Sequence, residues 1–323
     1  MRKYFFVAAL FLLAIIVIQF SACNNTTTDV KADTPANDSI SKVLARGSYL
    51  FHHVAACVDC HSSRDTSKYS WPVTPGTEGR GGFVFDHKFQ LPGTLYGKNI
   101  TSDTATGIGS WSDDEILRAL TQGISKNGDT LFPLMPYPNY NRMAKEDLMS
   151  IIAYVRTLKP ISNKVPPRQL MMPISMVYPG KFLQPSVDGN KIPDSSDRIK
   201  YGEYITTMAD CGTCHSPLTQ HGPDMSRMFA GGYPFDLGSN IVVSANITPD
   251  SATGIGMWSE AMFVDKFTRY RDPRSFDVDS AHNTIMPLSV FQGMTDNDLK
   301  AIYAYLRSVK PINNKVEKFP ARK

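Results

Sequence analysis

The chain has 323 residues, 42% hydrophobic and 20% charged, which fits two globular domains of ordinary size and excludes wholesale disorder. A formal charge of +4, with no Lys/Arg run beyond isolated doublets, argues against a nucleic-acid partner. Five cysteines, an odd number, would leave one unpaired in any disulfide framework, so their positions matter more than their count.

Arg2 and Lys3 lead an apolar run from Tyr4 to Phe20, interrupted only by Gln19. This reads as an export signal over residues 1–22, and its 17 residues are marginal for a spanning helix, which needs about 20. The end of the run, Phe20-Ser21-Ala22-Cys23, resembles the lipobox of bacterial lipoproteins, with Phe20 where Leu is usual. That resemblance implies a lipidated Cys23 and an exported bacterial protein, membrane-anchored and facing the periplasm or cell surface. An uncleaved signal anchor is the alternative. Removing the signal lowers the formal charge to +2, which weakens the basic balance as a clue to partners. Residues 23–39 are rich in Asn, Thr, Asp and Ala, with almost nothing to bury, and read as a flexible tether.

From Ser39 to Ala56 the apolar spacing of Ile40, Val43, Leu44, Leu50, Phe51 and Val54 predicts a helix. It leads into Cys57-Val58-Asp59-Cys60-His61, and Cys211-Gly212-Thr213-Cys214-His215 repeats the pattern. Both are C-x-x-C-H, the attachment sequence of c-type haem. Two thiols on one helical turn reach the two vinyl groups of one porphyrin, and the next histidine offers its imidazole to the iron. A thioredoxin-like pair would not need the histidines, and a zinc ribbon would bring its two pairs within about 15–20 residues. The reading is therefore two covalently bound haem c groups. Four cysteines hold haem, Cys23 takes lipid, and no disulfide remains possible.

A longer repeat carries these motifs. Asn99-Ile100-Thr101 recurs as Asn246-Ile247-Thr248, and Thr106-Gly107-Ile108-Gly109 as Thr253-Gly254-Ile255-Gly256. Met135-Pro136 recurs as Met286-Pro287. The expected organisation is a tandem duplication: domains at 40–164 and 197–316, a connector at 165–196 and a tail at 317–323. The connector contains six prolines but also Leu170, Met171, Met172, Ile174, Met176, Tyr178 and Phe182, too apolar for a loose linker. It is expected to pack against both domains.

The second axial ligand decides between electron transfer and catalysis. Met143 and Met294 precede helix starts, where such residues pack as staples against the fourth helical residue. Met135 and Met286 lie in proline-punctuated loops that fix their direction, and are expected to bind iron opposite His61 and His215. His52, His53, His87, His221 and His282 read as ordinary helix or loop histidines. Ser112 and Glu115 form a capping box for a middle helix. Gly47 and Gly202 interrupt matched helices, and their lack of a side chain would admit the C-terminal helix of each repeat near Tyr154 or Tyr305. No stretch shows sustained strand alternation, so the fold class is all-α.

The haem motifs, Met-Pro loops and flanking helices resemble class I cytochromes c. Asn99–Thr101, Thr106–Trp111 and Met135–Tyr137 narrow this to the multihaem cytochrome c subunits of membrane-bound alcohol, gluconate and related sugar dehydrogenases. The resemblance spans about residues 40–316. It implies electron transfer from a partner dehydrogenase to quinone or a terminal oxidase. Two haem motifs stand where those subunits typically carry three, and Leu288 stands where the second Met-Pro motif would carry Tyr. The reading is a lipid-anchored dihaem electron carrier or oxidoreductase subunit rather than a free-standing enzyme. A dihaem peroxidase or sulfur-compound oxidase with one open haem is the alternative.

Overall fold

A computed structural model describes residues 35–174, 186–220, 222–277 and 282–321. The signal, Cys23, most of the tether, His221 and the connector residues Met176, Tyr178 and Phe182 lie outside them. Ten α-helices form the frame among the described residues. Residues from Ile40 onward pack as one unit.

Helix α1, Pro35–Tyr49, has Pro at its first position, Asp38 in its first turn and Arg46 in its last, the order that the helix dipole favours. It begins inside the segment read as tether. A π-helical turn, Leu50–Val54, continues it, and the single-turn α2, Cys57–Cys60, follows. The first half continues with α3, Asp113–Gln122, α4, Tyr137–Tyr140, and α5, Lys145–Thr157. The same order recurs in the second half: α6, Arg198–Met208, α7, Cys211–Cys214, α8, Glu260–Thr268, α9, Leu288–Phe291, and α10, Asp296–Ser308.

The π turn follows from a difference in spacing. One more residue separates Gly47 from Cys57 than separates Gly202 from Cys211. Ala55 N–H accordingly donates to Leu50 O, five residues back, whereas Ala209 N–H donates to Ile205 O, four back. A π turn is how a helix absorbs a single inserted residue without losing its direction.

Each half crosses its first and last helices at a glycine. A Cβ on Gly47 would lie 1.9 Å from Ser150 O, and one on Gly202 would lie 2.0 Å from Ala301 O. The Cβ atoms of Tyr154 and Tyr305 are also close, at 2.8 and 3.0 Å. Only glycine permits this approach. The Ser112–Glu115 capping box forms as expected, and Gly123 ends α3 in the left-handed region.

Three small antiparallel sheets supplement the helices among the described residues and were not legible as strands. β1, Val84–Phe85, pairs with β2, Gly93–Tyr96, which pairs with β3, Gln169–Leu170. β4, Leu218–Thr219, pairs with β5, Gly222–Pro223, and β6, Pro234–Asp236, with β7, Ile241–Val243. Segments of two to four residues are too short to show alternation. The tail joins the last ladder, since Val243 N–H donates to Lys318 O.

The described residues of the segment read as a connector, 165–174 and 186–196, are only partly packed. Leu170 lies in β3, and Val187 is buried in the main core. Met171 is 82% exposed and Met172 40% exposed, so these two do not supply the burial expected of them.

The largest buried cluster runs without interruption through both halves, with Leu50, Phe51, Leu148 and Ile152 from one and Ile205, Met208, Leu299 and Leu306 from the other. Two tyrosines cross the boundary reciprocally. Tyr204 OH accepts from Ala144 N–H at the start of α5 and donates to buried Asp147 at 2.7 Å. Tyr49 OH accepts from Thr295 N–H at the start of α10 and donates to buried Asp298. Each half thus caps the last helix of the other.

Candidate haem-attachment sites

Both attachment turns have one geometry. Ala56 and Asp210, the residues before Cys57 and Cys211, are left-handed at φ 53° and 51°, which turns the chain sharply into the single helical turn. Among the described residues all four motif cysteines are free thiols. Burial pushes the Cys57 and Cys211 thiols up to about 12. A redox-active C-x-x-C pair has the opposite shift. No three His, Cys, Asp or Glu side chains converge to hold a metal ion among the described residues.

The two motif histidines have matching hydrogen bonds. His61 Nδ1 lies 2.7 Å from Lys98 O, and His215 Nδ1 lies 2.7 Å from Ala245 O. A carbonyl can only accept, so each Nδ1 carries the proton and each Nε2 presents a lone pair. Burial lowers both imidazole pKa values, favouring the neutral form that binds iron. The backbone around them also matches. Gly81 N–H bonds His61 O, and Gly231 N–H bonds His215 O, both at 2.7 Å.

The Asn-Ile-Thr and Thr-Gly-Ile-Gly repeats tie each loop to the strand-like exit of the last helix. Asn99 Oδ1 accepts from Thr101 N–H and Oγ1–H, while Asn99 Nδ2 donates to Ile161 O and Thr106 Oγ1. Asn246 repeats all four bonds with Thr248, Ile312 and Thr253. These motif residues hold the loop in place.

Met135 and Met286 lie in matching turns. Pro136 at φ −79°, ψ 51° and Pro287 at φ −77°, ψ 62° are each bridged by an N–H to carbonyl bond of 2.7 Å, Tyr137 to Met135 and Leu288 to Met286. This is an inverse γ-turn. Both methionines are half-buried against the main core. Met143 and Met294, by contrast, are 1% and 2% exposed, in the same cluster as Leu148 and Leu299, as staples require.

The remaining described histidines have other partners or are exposed. His52 Nε2 meets Tyr154 OH at 2.9 Å, and His53 Nδ1 meets Val290 O of the other half at 2.9 Å. His87 and His282 are exposed.

Comparison with known proteins decides what carries this arrangement. The chain is 31% identical over 87% of its length to the cytochrome c subunit of a quinone alcohol dehydrogenase from Gluconacetobacter polyoxogenes. It is 31% identical over 86% of its length to the gluconate 2-dehydrogenase cytochrome c subunit of Pantoea cypripedii. Its homologues are c-type cytochromes. A dihaem c-type cytochrome from Cereibacter sphaeroides is 29% identical and matches over 93% of this chain and 97% of its own length. The chain spans 58% and 61% of the two dehydrogenase subunits. No family model matches it.

The donor set present here fits the haem c that cytochromes of this kind carry: two thiols on one turn, followed by an imidazole with a free Nε2. Each member of that set is one the sequence motif names. Sequence reasoning missed the π turn, although the one-residue difference in glycine-to-cysteine spacing signalled it.

Proposed function

We propose that the chain is a dihaem electron carrier of two tandem class I cytochrome c modules, residues 40–164 and 197–316, joined by a connector at 165–196. The reading assigns one haem c to Cys57 and Cys60 and the other to Cys211 and Cys214. His61 with Met135, and His215 with Met286, are the axial pairs. When bound, haem c supplies a one-electron ferric–ferrous couple. The protein's part is to hold each imidazole in its Nδ1–H form, to aim each thioether from a proline turn, and to close both axial positions against substrate. Soft thioether sulfur favours ferrous iron, which suits a carrier of raised potential.

The observation that carries the reading is the paired hydrogen bonds from His61 to Lys98 O and from His215 to Ala245 O. The donor on this reading is a dehydrogenase, and the acceptor a quinone or terminal oxidase. Cys23 supplies a lipid anchor outside the cytoplasm. The anchor falls outside the described residues, among which no helix is long and apolar enough to cross a membrane.

A pyridine haemochrome assay should give about two haems per chain, resistant to acid acetone. The ferric protein should show the weak far-red sulfur-to-iron band and bind carbon monoxide poorly. Met135→His and Met286→His should each remove part of that band and lower one potential. Fast carbon monoxide binding at one haem of the unaltered protein would replace the carrier with the open-haem enzyme.

A further inference from the structure

The two Met-Pro turns are alike in backbone, yet a residue from the opposite half of the chain reaches into one of them. Ser70 is fully buried, and its hydroxyl donates to Met286 O at 2.7 Å while accepting from Leu288 N–H at 3.0 Å. These are the two groups that close the γ-turn on Pro287, so one oxygen fastens both ends of the turn. Ser70 N–H also donates to Asn283 Oδ1 at 2.9 Å, and Asn283 Nδ2 donates to Lys68 O. The contact is specified from both directions.

The backbone at this point is unusual. Ser70 and Trp71 are consecutive non-glycine residues with φ of 61° and 46°. L-residues avoid that region, and such strain persists only where the surroundings impose it. Here Arg64 imposes it: its Nε donates to Trp71 O at 2.8 Å and its Nη2 lies 3.3 Å from Ser70 O. Arg64 also pairs with Asp59, which lies between Cys57 and Cys60. A continuous chain of bonds therefore runs from the first attachment turn through Arg64 and Ser70 to the Met286 turn. The stretch from His61 to Gly81 that carries this turn is four residues longer than its counterpart from His215 to Gly231.

We propose that Ser70, from the first half, is the positioning residue for the Met286 thioether at the second haem. The hydroxyl holds the Met286 backbone so that its sulfur stays directed at the iron. The inference rests on the assignment of Met286 as an axial ligand, and the test separates the two.

The experiment uses the full chain with both haems attached, comparing Ser70→Ala and Ser70→Gly with the unaltered protein. Glycine removes the hydroxyl but tolerates the positive φ, so it separates the hydrogen bonds from the strain. Without the hydroxyl the turn keeps only its own Leu288 N–H to Met286 O bond, which should let the thioether detach more often, giving about tenfold faster carbon monoxide binding at one haem of two. Part of the far-red band should fade, one potential should fall and the other should hold. The intact signature of the first haem reports that the chain has folded. If both variants keep two unchanged potentials and the full band while Met286→His reduces it, the positioning role is wrong and the ligand assignment stands. If Met286→His leaves the band at full strength, both fall. Equal loss at the two haems would make Ser70 a general structural support and overturn the proposal.

Discussion

The Met135 turn runs into α4, whose Tyr137 ring packs on Gly123 of its own half and whose Asn139 Nδ2 donates to Asp210 of the other at 2.7 Å. The Met286 turn itself receives Ser70 from across the boundary. A similar contrast appears at the last helices. Asp147 accepts two bonds of 2.8 Å from Arg46 as well as the Tyr204 hydroxyl, whereas Asp298 accepts the hydroxyls of Tyr49 and Tyr201. Matched backbones have thus been given unmatched side-chain supports. The second half depends on the first for its methionine turn and for the cap of its last helix, and a shared core removes any plane along which the halves could separate cleanly.

The sharpest way to break that picture is at the helix crossings. Gly47→Ala or Gly202→Ala would drive a methyl into a backbone carbonyl, and each should cost about 3 kcal/mol or more. Because the core is continuous, each should lower a single thermal transition seen at both haems. Two separate transitions would show that the halves unfold independently. Next in size, Asp147→Ala strands the partly exposed Arg46 guanidinium and should cost about 3 kcal/mol, against about 1–2 kcal/mol for Asp298→Ala, which loses only hydroxyl donors. Denaturant titration of both variants measures the difference, and equal losses would erase the asymmetry.

The residues before the two attachment turns offer a finer comparison. Burial pushes the Asp210 carboxyl up to about 7. A carboxyl raised on folding stabilises fully below its unfolded value near 4, and that contribution is lost as pH rises through about 7. Asp210→Asn should therefore flatten the stability profile between about pH 4 and 7, read as the difference from the unaltered protein, and an unchanged slope would refute it. The smallest effect concerns the left-handed backbone. Ala56→Gly should stabilise by about 1 kcal/mol in denaturant titration, whereas Asp210→Gly should not, because it also removes the carboxylate that accepts from Asn139 Nδ2 and Thr213 Oγ1.

How far the sequence reached depended on the range of the interaction. The thiol-thiol-imidazole set, the Ser112–Glu115 box and the staples at Met143 and Met294 are local patterns of a few residues, and all were legible. Gly47 and Gly202 were legible as well, because a glycine inside a helix costs stability unless something crosses it. The strands are too short to show alternation, and the bonds from Asn99 to Ile161 O and from Asn246 to Ile312 O join residues more than sixty positions apart, so nothing local announces them. The tertiary structure alone decided how the two halves meet. Tyr49 and Ser70 are unremarkable as letters, and their roles exist only because folding brings them against Asp298 and Met286, more than two hundred residues away. Local chemistry defined what each half can hold, and contacts of long range, which carry no periodicity, joined the halves into one body.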